Sequence, residues 1–225
     1  MGSTVPPELD YAALRAKMER QLRRKGIRDE RVLAAMGKAP RERFVVERDL
    51  DRSYADCALP IGFDQTISQP YMVAATCELL GLSGDENVLE VGTGSGYAAA
   101  VLAELAVSVT TIERVPELAA RARETLVAAG YAHVEVVVGD GSLGVPERSP
   151  FHAIAVAAAA PRVPDSLYEQ LVPGGRLVVP IGTRADQRLV LVVRSPEGPA
   201  EVRSLPCRYV PLLGAEGFAY ELGSE

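Results

Sequence analysis

From Val88 to Tyr97 the chain reads Val-Leu-Glu-Val-Gly-Thr-Gly-Ser-Gly-Tyr. Val88, Leu89 and Val91 suit a parallel strand covered on both faces. Three glycines follow, at 92, 94 and 96. They let the backbone turn sharply and approach a ligand closely. A helix starting at this point would offer its unpaired N–H groups to that ligand. A buried strand, a glycine turn and a helix in this order demand an α/β fold built on a mostly parallel sheet. The spacing is not that of a dinucleotide site. G-x-G-x-x-G needs its third glycine one residue later, where this chain has Tyr97. An acid, Glu90, stands two residues before the first glycine. The plain alternative is a glycine turn with no ligand.

The rest of the composition narrows the class. At 225 residues and 24.0 kDa the chain has length for one domain with a small appendage, and its hydrophobic fraction of 48% can fill a core. A formal charge of −6 and a pI near 5.2 argue against nucleic acid as the main partner, because that binding runs on dense Lys and Arg. No apolar run reaches about 18 residues, so no membrane span is expected. The start, MGSTVPPELD, is polar, and a cytoplasmic location is the expectation. Cys57, Cys77 and Cys207 stand far apart and suit reduced thiols. His133 and His152 fall in no metal-ligand spacing, so no metal is expected. Nothing fixes the oligomeric state, and a monomer is the working expectation.

Along the chain, residues 1–9 read as a loose tail. Leu14, Met18 and Leu22 place an apolar stripe on a helix from Tyr11 to before Gly26. A second short helix runs near Glu30 to Met36. The two would cap the sheet, or cover its edge passively. In the stretch 58–74, ALPIGFDQTISQPYMVA, Pro60 and Gly62 argue against a regular strand. Pro70 suits the first position of a helix with Gln69 or Ser68 at its cap, running through Leu80 to Gly81. Read this way, Thr66 and Ser68 are turn and capping hydroxyls. Beyond the glycines come a helix from Ala98 to Ala106 and a β-branched strand from Ser108 to Glu113. Glu113 falls about 20 residues after the glycines, which sets a carboxylate at the tip of the neighbouring strand, beside the crevice. It could accept hydrogen bonds from both hydroxyls of a ribose, or be a surface acid paired with Arg114. A helix from Pro116 to Ala129, a strand from Val134 to Val138, and a turn at Gly139-Asp140-Gly141 come next. A strand from Phe151 to Val156, a helix from Pro164 to Leu171 and a strand from Arg176 to Ile181 complete the core. Strands from Gln187 to Val193 and Glu201 to Leu205 form a pair, and a short acidic tail starts at Gly214.

Glu-x-Gly-x-Gly-x-Gly after a strand resembles motif I of the class I S-adenosylmethionine-dependent methyltransferases. Read together, ALPIG, QTISQPYMVA and VLEVGTGSGY resemble the protein-L-isoaspartate O-methyltransferase family. The match continues through P-G-G-x-L-V-V-P-I-G and Tyr209-Val210-Pro211-Leu212 and spans roughly Asp29 to Leu213. The resemblance implies a Rossmann-like fold with helices on both faces of the sheet and an N-terminal helical cap. It implies a single domain over 10–213: cap and substrate loop at 10–81, cofactor core at 87–182, C-terminal strands at 183–213, with 214–225 a tail. It implies S-adenosylmethionine as cofactor, held by Thr66, Glu90, Gly92, Gly94, Gly96, Glu113, Arg114, Asp140 and Gly141. It implies Ser68 as the catalytic-site serine, and Ile61, Gly62, Ser68, Val210 and Leu212 against the substrate. For Asp140 and Gly141 a plain Asx-capped turn stays open. Two positions depart from the family pattern. Asp64 stands where glycine is common, and its carboxylate would either weaken binding of an anionic substrate or point to water. His152 stands where an aspartate is usual.

The implied reaction moves a methyl group to the free α-carboxylate of an L-isoaspartyl residue in a damaged protein or peptide. A carboxylate is already ionised at neutral pH, and no convincing general base stands out in the sequence. Placement would then carry catalysis. Rival readings are a small-molecule methyltransferase, which would not need QTISQP, and a dehydrogenase, disfavoured by the glycine spacing. A serine hydrolase is disfavoured because Gly139-Asp140-Gly141-Ser142-Leu143-Gly144 lacks the G-x-S-x-G order. A protein that binds isoaspartyl sites without turnover is the non-enzymatic alternative.

Overall fold

The computed structural model describes residues 9–219, with the backbone alone at 202–204. Residues 1–8 and 220–225, both expected in tails, lie outside the described residues. The elements in order are helices α1 (Tyr11–Arg24) and α2 (Glu30–Lys38), strands β1 (Leu59–Gly62) and β2 (Gln65–Ile67), α3 (Pro70–Leu80), β3 (Asn87–Val91), α4 (Tyr97–Ala103), β4 (Ser108–Glu113), α5 (Pro116–Ala128), β5 (Glu135–Val138), β6 (Phe151–Val156), α6 (Asp165–Glu169), β7 (Leu171–Gly182), β8 (Gln187–Ser195) and β9 (Gly198–Cys207).

Seven strands form one sheet in the order β5-β4-β3-β6-β7-β8-β9, parallel from β5 to β7 and antiparallel at β7–β8 and β8–β9. The chain order reverses between β3 and β6, which is where such sheets open a crevice at their carboxyl ends. Alternation along β3 decides what faces where. Val88 enters the apolar layer that also holds residues of α1 to α5, whereas Leu89 and Val91 enter the opposite layer with Leu167 of α6. Asp10 caps α1 and Asp29 caps α2 through side-chain oxygens accepting backbone N–H groups. Gly81, at φ 55, ends α3 in the left-handed region where glycine is at ease.

The structure departs from the sequence reading in four places. Leu59–Gly62 is a strand despite Pro60 and Gly62: it forms a hairpin with β2, and a register shift between Pro60 and Gly62 absorbs the irregularity. Its two-residue turn, Phe63-Asp64, sits at φ 54 and 56, the primed geometry that matches strand twist. The helix expected to Ala106 ends at Ala103, where Glu104 and Leu105 tighten into i→i+3 hydrogen bonds. Strand β7 begins at Leu171, which pairs with Phe151. The segment from Gly214, expected as a tail, folds back over its described part: Ala215 N–H donates to Asp140 Oδ2 at 2.8 Å, and Glu216 accepts from Ser166 N–H and hydroxyl at 3.0 and 2.6 Å.

Candidate active site

The glycine loop leaves β3 at the crevice. Gly92, Gly94 and Gly96 have φ of 95, 53 and 90, a region that side chains with a Cβ rarely occupy. A Cβ on Gly94 would lie 3.3 Å from Ile61 Cδ1 and 4.0 Å from the Thr66 carbonyl oxygen. The β1–β2 hairpin therefore roofs the loop closely. The carbonyl of Ile61 is itself held by Arg121.

Two carboxylates underlie the loop. Glu113, at the tip of β4, is 6% exposed. Its Oε2 accepts from Gly94 N–H at 2.9 Å and its Oε1 from Val115 N–H at 3.0 Å. It ties the loop to the neighbouring strand, which is not the position of a surface acid. Glu90 is 1% exposed, on the face of β3 covered by α3 and α4. Its Oε2 accepts from the Thr111 hydroxyl at 2.6 Å, and the Thr93 hydroxyl lies 2.7 Å from that of Thr111. With Thr111 donating to Glu90, Thr93 donates to Thr111, and the three form a relay. Glu90 Oε1 has no hydrogen-bond partner. Burial pushes its carboxyl up to about 8, Thr111 opposes the shift and the charge of Glu113 adds to it.

Ser68 leads into α3. No side-chain hydrogen bond caps that helix, whose cap residue is Gln69. The carbonyl of Ser68 accepts from Arg41 Nη2 at 2.8 Å. Arg41 is fully buried, donates Nε to the Ser53 carbonyl at 2.7 Å, and stacks its guanidinium 4.7 Å from the ring centroid of Tyr97. One buried cation thus links the segment before α3 to the end of the glycine loop.

Two cavities meet here. The first, about 70 Å³, lies over the glycine loop. Among the residues expected at the site it is lined by Thr66, Ser68, Glu90, Gly92, Gly94, Glu113, Arg114, Gly141, Val210 and Leu212. The second, about 540 Å³, shares Thr66, Ser68, Ala157 and Val210 with the first. Four expected residues line neither. Gly96 is the N-cap of α4, and a Cβ there would press on Leu126 at 3.1 Å. Ile61 and Gly62 belong to the roof. Asp140 is occupied: Oδ1 accepts from Ser142 N–H and hydroxyl at 2.9 and 2.7 Å, and Oδ2 from Ala215. Burial raises its carboxyl, but those donors outweigh it and hold the pKa below the usual value. Its neighbour Gly141 reaches the cavity. Asp64 is exposed at the hairpin tip. His152 is exposed at the amino end of β6, where its Nδ1 accepts from Asn87 N–H at 3.1 Å, at the opposite end of the sheet from the loop. Among the described residues no group of three or more His, Cys, Asp or Glu is placed to hold a metal, and no helix is long and apolar enough to cross a membrane.

Residues 13–217 match the family model for protein-L-isoaspartate(D-aspartate) O-methyltransferase. The chain belongs to that family. Curated relatives include protein-L-isoaspartate O-methyltransferase 2 of Anaeromyxobacter, 55% identical over 88% of this chain and 82% of the relative. Another is protein-L-isoaspartate O-methyltransferase 1 of Rhodopseudomonas palustris, 51% identical over 97% and 92%. A solved protein-L-isoaspartate O-methyltransferase superposes with a TM-score of 0.81 at 30% identity, covering 90% of this chain and 66% of that one. A Plasmodium falciparum structure in complex with S-adenosyl-L-homocysteine shares the fold, with a TM-score of 0.78 at 24% identity over 92% and 99%. The protein-L-isoaspartate O-methyltransferases methylate L-isoaspartyl residues with S-adenosylmethionine in protein repair, and this chain is an enzyme of that kind.

Proposed function

We propose that the site performs this reaction by placement, with the free α-carboxylate of the isoaspartyl residue as nucleophile and no general base. The observation that supports it is the meeting of the two cavities at Thr66, Ser68, Ala157 and Val210. One cavity is floored by the glycine loop, and the other is large enough for a peptide side.

The residues fit the cofactor. The unpartnered Glu90 Oε1 is a buried acceptor waiting for a cationic donor, and the space over Gly92 and Gly94 is space that side chains would fill. When bound, S-adenosylmethionine supplies a methyl group on a positively charged sulfur. On this reading Glu90 serves its amino-acid end, Gly92 and Gly94 let it lie against the backbone, and Gly96 shapes the turn into α4. Each oxygen of Glu113 accepts one N–H and keeps acceptor capacity for a ribose hydroxyl. Gly141 lies against the adenine, with Asp140 fixing that turn. Thr66 and Arg114 complete the wall. Ile61, Gly62, Val210 and Leu212 bound the substrate side.

Ser68 offers a hydroxyl at the junction. It can orient the substrate carboxylate, but a strong hold on that anion would blunt its attack, since only contacts that tighten in the transition state help. The same reading makes the protein a cytoplasmic monomer acting on damaged proteins and peptides, with no nucleic-acid or membrane partner. Its net charge of −6 supports the lack of a nucleic-acid partner.

The test is single-turnover methyl transfer to matched L-isoaspartyl and L-aspartyl peptides between about pH 6 and 8. The peptides carry the same charge, so only placement can separate them. The expected result, with cofactor saturating, is transfer to the isoaspartyl peptide alone, with a chemical step nearly flat in pH because the nucleophile has a pKa of roughly 3–4. Equal rates on the two isomers would leave only a general methyltransferase.

A further inference from the structure

The walls of the second cavity are apolar or neutral, with one exception. Ala58, Met72, Tyr71, Pro206, Tyr209 and Val210 face it, together with neutral Thr66, Ser68 and Gln69. Arg208 is the charged residue among its lining residues. It is exposed, just past the end of β9, and makes no ion pair among the described residues. The chain as a whole carries −6, so an acidic peptide gains nothing from the overall field. As the charged residue among the groove's lining residues, its guanidinium makes a local anion site, with a planar fork that matches a carboxylate.

We infer that Arg208 is a specificity residue that recognises a second carboxylate on the substrate, next to the isoaspartyl residue. The inference rests on the isoaspartyl reading above. The reacting carboxylate is a poor partner for Arg208, because pairing it with a guanidinium would stabilise the ground state of the nucleophile. An isoaspartyl residue has one free carboxylate, its side-chain carboxyl being spent in the peptide link. The second must come from a flanking Asp or Glu, or from a chain end close by.

The experiment uses the whole enzyme and five kinds of isoaspartyl peptide. Four are acetylated and amidated and differ only in carrying Gln, Glu, Asp or Lys beside the isoaspartyl residue, with each flank tested in turn. The fifth carries Gln and a free C-terminal carboxylate one residue on. The native enzyme should favour the acidic peptides over the Gln peptide by about 5- to 30-fold in kcat/KM, expressed in KM and reduced by salt. Arg208→Gln should erase that ratio, and Arg208→Glu should turn it toward Lys. Arg20→Ala, which removes an exposed cation on α1, should leave the ratio unchanged. A gain for the free-ended peptide alone would identify the chain end as the source. Equal use of the Gln, acidic and free-ended peptides overturns the assignment of Arg208. So does a ratio that survives Arg208→Gln, or one that Arg20→Ala erases as well. In those cases the Gln peptide is still methylated and the isoaspartyl reading stands. If no peptide is methylated, both fall.

Discussion

The glycine loop and the β1–β2 hairpin face each other across one cleft, yet they are built on opposite terms. The loop grows from β3, with a strand on either side in the sheet, and takes backbone angles that suit glycine. The carboxylate at its base, Glu113, is buried with both oxygens bonded to backbone. The hairpin has strands of four and three residues and two non-glycine residues in the left-handed region at an exposed tip. Side chains reaching from elsewhere hold its flanks, Arg121 at the Ile61 carbonyl and Arg41 at that of Ser68. On the proposed reading the loop is the cofactor side, fixed by the fold itself, and the hairpin bounds the substrate side, fixed by a few contacts that can be changed singly.

Removing Glu113 should break the fixed side most. Glu113→Ala should weaken cofactor binding by about 10- to 150-fold, the cost of hydrogen bonds to a charged acceptor. It should also destabilise the protein by about 1–3 kcal/mol for each N–H left buried and unpaired. Calorimetry and denaturant melts read the two effects. A folded mutant with unchanged affinity would take Glu113 out of the site.

Glu90 gives the same side a pH dependence. Its carboxyl is raised from 4.5 to about 8, chiefly by burial. The native state then keeps a proton that the unfolded chain releases near pH 4.5. This stabilisation is complete below that pH and is lost as pH rises toward 8, at up to about 1.4 kcal/mol per unit. Glu90→Gln should remove that slope from the cofactor-free enzyme. A positively charged cofactor favours ionised Glu90, so affinity should climb by up to about tenfold per unit from pH 6 to 7.5 in the native enzyme and stay flatter in Glu90→Gln. Melts and calorimetry at three pH values are sufficient, and parallel profiles for the two proteins would refute the role.

Ser68→Ala probes the adjustable side. Its hydroxyl caps nothing, so stability should change by less than about 0.5 kcal/mol. Turnover should fall by about tenfold or more if the hydroxyl orients the nucleophile, with cofactor affinity less affected. A mutant that melts early but turns over normally would return Ser68 to a purely structural place.

What could be read in the sequence follows the same divide. Glycines at 92, 94 and 96 and an acid closing a β-branched strand are local signals, because backbone angles and strand ends leave marks on residue type. The Thr93–Thr111–Glu90 relay leaves no such mark: Thr111 reads as an ordinary β-branched strand residue. Arg41 reads as a solvent charge in a polar stretch, and only folding buries it beneath Tyr97. At Asp140 the sequence leaves open a ligand contact and an Asx-capped turn: the Ser142 partner is local and legible, whereas Ala215 comes 75 residues later and leaves no mark. Pro60 and Gly62 hid a strand because a missing N–H and a loose backbone matter little in a short two-stranded hairpin with a bulge.

The smallest expected effect lies at the hairpin tip, and it decides how Asp64 stands to the substrate. Its φ of 56 explains why a glycine suits this position. Left-handed geometry costs an ordinary side chain about 1–2 kcal/mol, and aspartate less. Glycine relieves that strain but adds back about 0.5–1 kcal/mol through the freedom of the unfolded chain. The two nearly cancel, so Asp64→Gly should shift stability by less than about 0.5 kcal/mol. A β-branched residue has no such compensation, and Asp64→Val should cost about 1–2 kcal/mol and loosen the roof over Gly94. Cofactor affinity should fall in the valine mutant and hold in the glycine mutant. Because the carboxylate is exposed, its removal should also leave the KM for an isoaspartyl peptide with uncharged flanks within about twofold. A tenfold lower KM in Asp64→Gly would instead place that carboxylate against the substrate, and the tip would then belong to the binding surface and not to the roof alone.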